Sequence, residues 1–142
     1  MNDLRLVMRA ADLLSEGGFR VWLFGGWAEE LHGLRPPGEH ADVDLLYPAP
    51  DFRRLDEFLA AAALDEWTGK RRPYKRAFEL DGVPIELFIV ERDAGGWFTD
   101  FDAGRHRWPA NVFARGAWPP VASADALEGY RAAYGSLHAR AA

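Results

Sequence analysis

The sequence predicts an α/β domain, of the α+β kind, in which helices pack on a small mixed β-sheet. Helix-like and strand-like apolar patterns alternate along most of the chain, which is typical of such a fold. The 142 residues are close to the commonest size of one domain, and 49% apolar with 27% charged residues is typical of a globular protein. We therefore expect residues 1–142 to form one domain with a short C-terminal helix.

Five elements are predicted in the first half of the chain. Apolar residues recur every three or four positions in the helical segments, and they alternate or cluster in the strand segments. Glycine pairs and proline-rich stretches separate the segments. The predicted elements are a helix over 3–16, a strand over 19–24, a short helix over 27–32, a strand over 40–47 and a helix over 52–63 that Asp51 caps.

The second half begins with a hairpin and ends with a helix. Strand patterns over 73–80 and 83–90 flank Asp81-Gly82, a dipeptide typical of tight hairpin turns. A serine can cap the final helix, which is predicted over about 123–139. These elements complete a domain without internal repeats or linkers.

Composition and charge exclude several classes of protein. The chain has no cysteine, which excludes disulfides, thiolate metal sites and cysteine nucleophiles. It shows neither a signal peptide nor a run of about 20 apolar residues, so we expect a cytoplasmic protein without a membrane partner. The net charge is −5, and positive charge concentrates in residues 70–76. Such an acidic chain argues against binding duplex nucleic acid.

Two aspartates on the second predicted strand are the first candidates for chemistry. Asp42 and Asp44 are two residues apart, so in a strand they share one face with His40 and lie about 6.5–7 Å apart. A divalent cation between the carboxylates would relieve their repulsion, and magnesium prefers such oxygen ligands. For an Asp-x-Asp pair alone, a solvated strand face is the commoner explanation.

Glu86 favours the metal interpretation. It interrupts the apolar run from Val83 to Val90, which is typical of a buried central strand. A buried carboxylate must be protonated, paired or bound to a metal ion. A core salt bridge, to Arg20 or Arg35, and a metal site shared with the two aspartates both stay open at this point.

The glycine pair Gly25-Gly26 follows the first predicted strand and precedes a helix. Glycines at such a position let backbone N–H groups approach an anion closely, and a phosphate would also meet the positive end of the helix. Most glycine pairs are turns only. The informative observation is the position of this pair, one short helix before the acidic strand.

Together these motifs resemble the signature of the polymerase-β-like nucleotidyltransferase superfamily, and within it the aminoglycoside and lincosamide branch. Leu-Phe-Gly-Gly-Trp-Ala is followed by Gly-Leu-Arg-Pro-Pro-Gly-Glu-His-Ala-Asp-Val-Asp-Leu. Four features of that signature have counterparts in this sequence. They are a glycine pair, a basic loop residue, a His-x-Asp-x-Asp segment and a third acid on a later strand. The matching residues are Gly25, Gly26, Arg35, His40, Asp42, Asp44 and Glu86.

The resemblance implies the nucleotidyltransferase fold and an activity that depends on one or two Mg²⁺ ions. The enzyme would transfer a nucleoside monophosphate from a nucleoside triphosphate to a hydroxyl of a small acceptor similar to an aminoglycoside or a lincosamide. AMP is the monophosphate expected first. Pyrophosphate would be released, and the chain would be linked to antibiotic resistance. The resemblance assigns the metal to Asp42, Asp44 and Glu86, with Glu86 also a candidate general base, and the nucleotide to Gly25, Gly26, Arg35 and His40.

Two departures from the branch leave other functions open. Gly38-Glu39 stands where the branch often has a second basic residue, and the chain stops soon after Glu86, whereas relatives that modify antibiotics usually add a larger helical region. The acceptor pocket could be reduced, completed by a second copy in a homodimer, or different. The alternatives are a minimal nucleotidyltransferase of the antitoxin type that modifies a protein partner, and a non-catalytic relative that only binds nucleotide.

Two features of the second half have competing explanations. Residues 70–76 could contact a triphosphate, but a solvated hairpin edge is the commoner explanation. Residues 93–121 are rich in glycine, proline and tryptophan, and no element is assigned to them. Aromatic residues there could line an acceptor pocket or pack a core, and we expect the tyrosines of the last helix in the core. These residues are Trp97, Phe98, Phe101, Trp108, Tyr130 and Tyr134.

Overall fold

The computed structural model describes residues 1–138 and confirms the predicted α+β class. Within these residues four α-helices accompany one six-stranded mixed sheet, in the strand order β1-β2-β4-β5-β6 with β3 also paired to β4. The helices are α1 (Leu4–Glu16), α2 (Gly25–Leu31), α3 (Arg53–Ala61) and α4 (Ala124–His138), and the strands are β1 (Trp22–Phe24), β2 (Val43–Pro48), β3 (Lys75–Leu80), β4 (Val83–Asp93), β5 (Gly96–Asp100) and β6 (Arg105–Arg107).

The long strand β4 is the centre of the sheet. Its first part lies between β2, which is parallel to it, and β3, which is antiparallel. Its last part pairs with β5, and β5 pairs with β6. On the outer side of β2, β1 runs antiparallel. In this register Phe24 lies opposite Asp44, and Asp44 lies opposite Glu86, so the ends of three elements meet at one level of the sheet.

Local sequence signals set several element boundaries as predicted. Asp81 and Gly82 have φ angles of 51° and 77°, which are the positive values that a two-residue hairpin turn requires. The Asp3 carboxylate, for which no cap was predicted, accepts the N–H of Leu6 at 3.0 Å. The Ser123 hydroxyl oxygen accepts the N–H of Ala126 at 3.2 Å and caps α4. Residue 139, the predicted end of this helix, lies outside the described residues.

The first two strands are shorter than predicted. The strand expected over 19–24 begins at Trp22, because the Phe19 N–H instead bonds to the Leu14 carbonyl at the end of α1. The strand expected over 40–47 begins at Val43, and α2 begins at Gly25 itself. His40 and Asp42 therefore lie in an irregular segment before β2.

Residues 93–121, for which no element was predicted, contain β5 and β6 and contribute aromatic rings to the core. Phe98, Phe101 and Trp108 are buried, which confirms the core explanation for these three. The expectation for Tyr134 is wrong, because 54% of this residue is exposed. Across residues 1–138, no helix is long and apolar enough to pass through a membrane.

Candidate active site

Three carboxylates converge where β2 and β4 begin their parallel pairing. One carboxylate oxygen from each of Asp42, Asp44 and Glu86 lies within 4.8 Å of the other two. Asp44 and Glu86 face each other in the register, and neighbouring strands in a sheet are about 4.8 Å apart. Asp42 joins them from the residue just before β2. The sequence placed these acids on two separate strands, and the sheet brings them to one point.

Burial makes it costly for all three acids to be charged at once. Glu86 is only 3% exposed, and the two aspartates are partly buried. Burial, followed by the hydrogen bond with Glu86 and its charge, raises the pKa of Asp42 to about 6. Burial and the charges of Asp42 and Glu86 raise the pKa of Asp44 well above its usual range. A cation among these oxygens would offset the repulsion.

Glu86 is the acid that stays ionised, because two lysines reach it. Lys75 Nζ donates to Glu86 Oε1 at 3.0 Å, and Lys70 Nζ lies 3.4 Å from Oε2. Burial raises the pKa of Glu86, but the hydrogen bond with Asp42 and the contacts with the two lysines outweigh burial and lower it. The salt-bridge and metal interpretations of Glu86 are therefore compatible, since the paired carboxylate still faces the aspartates.

The basic cluster 70–76 divides into two parts. Lys70, at the end of a 3-10 turn, and Lys75, at the start of β3, point to Glu86. Arg71 and Arg76 instead pair with the carboxylate of Asp56 on α3. The explanation as a solvated edge is therefore wrong for the two lysines, which lie in the acidic site.

Gly25 and Gly26 lie against the side chains of the site. Gly25 has a φ of 71°, in the left-handed region that favours glycine, and an added Cβ would collide with the Asp44 carboxylate. A Cβ on Gly26 would lie 2.8 Å from Arg35 Nη1 and 2.9 Å from His40 Nδ1. Larger residues at either position would displace these groups.

His40 and Arg35 are held at the start of α2 by its own side chains. The His40 ring lies 4.3 Å from the Trp27 ring, centroid to centroid. Its Nε2 is 3.0 Å from Glu30 Oε1, so Nδ1 faces Gly26. Arg35 Nη1 lies 3.8 Å from Glu29 Oε1. Arg35 is thus near the site but does not pair with Glu86, and Arg20 does not either.

Two residues that support the site, Asn2 and Glu29, were not identified from the sequence. The Asn2 amide nitrogen donates to the carbonyl oxygens of His40 and Asp42 at 2.8 and 2.9 Å. These bonds fix the irregular segment before β2. Glu29, only 8% exposed, pairs through both carboxylate oxygens with Arg131 of α4. No local motif indicates either role, because each partner is distant in the sequence.

A groove of about 300 Å³ lies between α2 and α4, beside the acids. Its lining includes Glu29, Tyr130, Arg131 and Tyr134. The Tyr130 ring is 5.0 Å from the ring of Phe24, the residue paired with Asp44. Burial, with the nearby charges of Tyr134 and Asp44 following, raises the pKa of the Tyr130 phenol. The groove therefore combines two tyrosines and Leu127 with the Glu29–Arg131 ion pair, next to the acidic cluster.

Solved structures with the same fold define the class. The lincosamide antibiotic adenylyltransferase LnuA, bound to lincomycin, has a TM-score of 0.69 over 93% of this chain and 87% of its own, at 15% identity. ANT(2'')-Ia in complex with adenylyl-2''-tobramycin gives 0.60 over 93% and 78%, at 17% identity. A Thermotoga maritima protein classed as a candidate nucleotidyltransferase gives 0.59 over 93% and 84%, at 19% identity. The chain has the nucleotidyltransferase fold.

The family follows from the sequence itself. The sequence pattern of the aminoglycoside-2''-adenylyltransferase family matches residues 6–126. Because this match covers most of the chain, the chain belongs to that family and is a nucleotidyltransferase. The resemblance to the aminoglycoside and lincosamide branch is confirmed. No curated protein sequence is significantly similar to the chain.

Proposed function

We propose that this enzyme transfers AMP from ATP to a hydroxyl of a small antibiotic acceptor and releases pyrophosphate. The observation that carries the proposal is the convergence of Asp42, Asp44 and Glu86 within 4.8 Å. The family is that of an aminoglycoside adenylyltransferase, and similar folds were solved with lincomycin and with an adenylylated tobramycin. These relatives support an aminoglycoside-like or lincosamide-like acceptor.

The acidic cluster has the chemistry of a magnesium site. All of its donors are carboxylate oxygens, and Mg²⁺ is usually held by one or two carboxylates together with substrate phosphates. Burial first, and then the neighbouring carboxylates, raise the pKa values of Asp42 and Asp44, and a cation would offset both effects. When bound by these residues, one or two Mg²⁺ ions would neutralise charge on the triphosphate and on the leaving pyrophosphate.

The residues around Gly26 would bind the triphosphate. Arg35 and His40 approach this glycine from the same side, and both can donate hydrogen bonds to phosphate oxygens. Lys70 and Lys75, whose amines already lie beside Glu86, would meet phosphate charge at the opposite side of the cluster. Nucleotidyl transfer depends mostly on such positioning and charge neutralisation.

Glu86 would act mainly as a metal ligand. Its lowered pKa keeps it ionised at neutral pH, so it can accept a proton from the acceptor hydroxyl. A carboxylate with a low pKa is, however, a weak base, and general-base catalysis is most efficient when the pKa is near the working pH. Removal of the hydroxyl proton by Glu86 would therefore be the smaller of its two contributions.

The acceptor would enter through the groove between α2 and α4. Tyr130 and Tyr134 in its lining offer ring surface to a small molecule, and Tyr130 contacts Phe24, which pairs with Asp44. The charge of Glu29 is engaged by Arg131, so this glutamate is not a free partner for a cationic amine.

The test is a transfer assay with a matched pair of variants. The purified protein is incubated with Mg²⁺ and each of the four nucleoside triphosphates, with lincomycin or tobramycin as acceptor. Pyrophosphate release and the mass of the acceptor are measured. Asp44→Asn should abolish transfer, whereas Asp65→Asn, which changes an exposed aspartate away from the cluster, should not. Transfer of AMP to a copurifying protein instead would replace the small-molecule acceptor, and absence of triphosphate binding would refute the proposal.

A further inference from the structure

A second cavity lies at the far end of β2 from the acidic cluster. It measures about 520 Å³ and is lined by residues around Pro48 and by residues of the loops next to β1 and β5. Asp44 and Pro48 are separated along the strand by about 13 Å, so the cavity is distinct from the site described above. Its volume is within the range of about 300–1,000 Å³ that is typical of small-molecule sites.

The cavity is positively charged. Arg20, Arg54 and Arg115 line it, and within residues 1–138 none of the three forms an ion pair. Asp51, the acid in the described lining, already accepts the backbone N–H of Arg53 at 2.9 Å. Among the other arginines of residues 1–138, seven form ion pairs and four do not. The paired arginines are Arg9, Arg35, Arg71, Arg76, Arg105, Arg107 and Arg131.

Aromatic rings, rather than carboxylates, support two of these arginines. The guanidinium carbon of Arg20 lies 5.4 Å from the centre of the Trp22 ring, and that of Arg54 lies 5.3 Å from the centre of the Phe19 ring. A guanidinium over a ring face is held by the electrostatic attraction between cation and π-system. Such a contact leaves the in-plane N–H donors free, and these donors match the oxygens of a phosphate or carboxylate.

A cluster of three aromatic rings, tilted to one another by 50° and 88°, forms the other part of the cavity. The Phe113 ring contacts both Trp22 and Trp97, with centroid distances of 4.7 and 4.9 Å. The Trp22 indole N–H donates to the carbonyl oxygen of Ala114 at 2.9 Å, which fixes the orientation of its ring. Arg92 lies 4.9 Å from the Trp97 ring centre on the neighbouring groove. Apolar ring surface and cationic donors therefore adjoin each other.

We propose that this cavity is a second binding site, for a small anion that carries a planar aromatic ring. The ring would pack against one face of the tilted cluster of Trp22, Trp97 and Phe113. The anionic group would accept hydrogen bonds from Arg20, Arg54 and Arg115. The site is independent of the proposed AMP transfer, because it shares no residue with the acidic cluster or with the groove between α2 and α4.

The test follows the indole signals of Trp22 and Trp97 in ¹⁵N-labelled full-length protein while 1-naphthyl phosphate is added. EDTA is present, so that the acidic cluster repels the probe. We expect saturable shifts of these two signals, and at least tenfold weaker binding of 1-naphthol and of inorganic phosphate, because each lacks one half of the recognised chemistry.

Two matched double variants test whether the arginines of the cavity are required for binding. Arg20→Gln/Arg115→Gln should weaken binding of 1-naphthyl phosphate at least tenfold. Arg5→Gln/Arg53→Gln removes the same charge from exposed arginines outside the lining and should leave binding unchanged. Thermal unfolding of both variants confirms that they are folded. The proposal is overturned if the two indole signals do not shift, if 1-naphthol binds as tightly as its phosphate, or if the two double variants bind equally.

Discussion

Asp44 and Glu86 lie opposite each other on parallel strands, and their pKa values move in opposite directions. Burial and the neighbouring acids raise the pKa of Asp44. For Glu86, the hydrogen bond with Asp42 and the contacts with two lysines outweigh the effect of burial and lower the pKa. The metal-free cluster therefore holds its proton on the aspartate side and its negative charge on Glu86. A divalent cation would displace that proton.

The contribution of Asp42 to the stability of the metal-free protein should fall as the pH rises from about 4 to about 6. The pKa of Asp42 is raised from 3.8 to about 6 in the folded chain. Between these values the folded state binds more protons than the unfolded state, so the free energy of unfolding decreases with rising pH. Asp42→Asn should remove this contribution and should be more stable than the wild type at pH 7 by roughly 1–3 kcal/mol.

Chemical denaturation in EDTA, in half-unit steps of pH, measures this effect. Asp65→Asn is the control, since this aspartate is exposed and its removal should keep the wild-type slope. Parallel pH curves for the wild type and Asp42→Asn would show that the cluster is not strained by charge.

Magnesium should stabilise the protein more at pH 7.5 than at pH 5. At the lower pH, protons occupy Asp42 and Asp44 and compete with the cation, because both have raised pKa values. The ligand-dependent gain in stability follows the ratio of free metal to its dissociation constant. Titrating Mg²⁺ while recording the unfolding temperature tests this, and Asp44→Asn should show no shift. An equal shift in that variant would place the metal elsewhere.

Gly25→Ala should inactivate the enzyme, whereas Gly33→Ala should not. Both glycines have positive φ angles, 71° and 72°, so alanine costs about 1–2 kcal/mol of backbone strain at each position. Only at Gly25 would the new Cβ also meet the Asp44 carboxylate, whereas no atom lies within 4 Å of a Cβ on Gly33. Comparing transfer rates at a temperature where both variants are folded separates the two effects. Equal activity would contradict a role for this close approach.

Sequence patterns predicted the elements and residues whose determinants are local. The hairpin turn at Asp81-Gly82, the cap at Ser123 and the acids of the cluster all depend on residue type and short-range spacing. The meeting of Asp44 with Glu86 required only that their strands be neighbours, which the resemblance to a known signature implied.

Sequence patterns did not predict the contacts that depend on how distant segments fold back. Lys70 reaches Glu86 from a 3-10 turn whose position only the sheet determines. The Arg131 partner of Glu29 is 102 positions away. At His40 and Asp42 the backbone carbonyl oxygens accept hydrogen bonds from the Asn2 side chain, which no pattern within residues 40–47 could indicate.

Loss of Arg131 should loosen α4 from α2. Glu29 is 8% exposed and forms two hydrogen bonds with Arg131, while Arg35 lies farther away at 3.8 Å. Arg131→Gln would therefore leave a buried carboxylate with weak compensation, which costs about 1–3 kcal/mol. Because Arg131 also lines the groove between these helices, the KM for the acceptor should rise more than the KM for ATP.

A double-mutant cycle separates the ion pair from other effects of the substitution. Glu29→Gln/Arg131→Gln should be more stable than Arg131→Gln alone, because the unpaired buried charge is gone. Arg107→Gln is the matched control, because its partner Asp93 has 35% of its side chain exposed against 10% for Glu29, and pairs of exposed groups contribute little. The measurement is the free energy of unfolding of the four proteins of the cycle and of the control. If Arg131→Gln and Arg107→Gln lower stability equally, the pair of buried Glu29 with Arg131 does not hold α4 against α2, and apolar contacts hold the groove beside the acids instead.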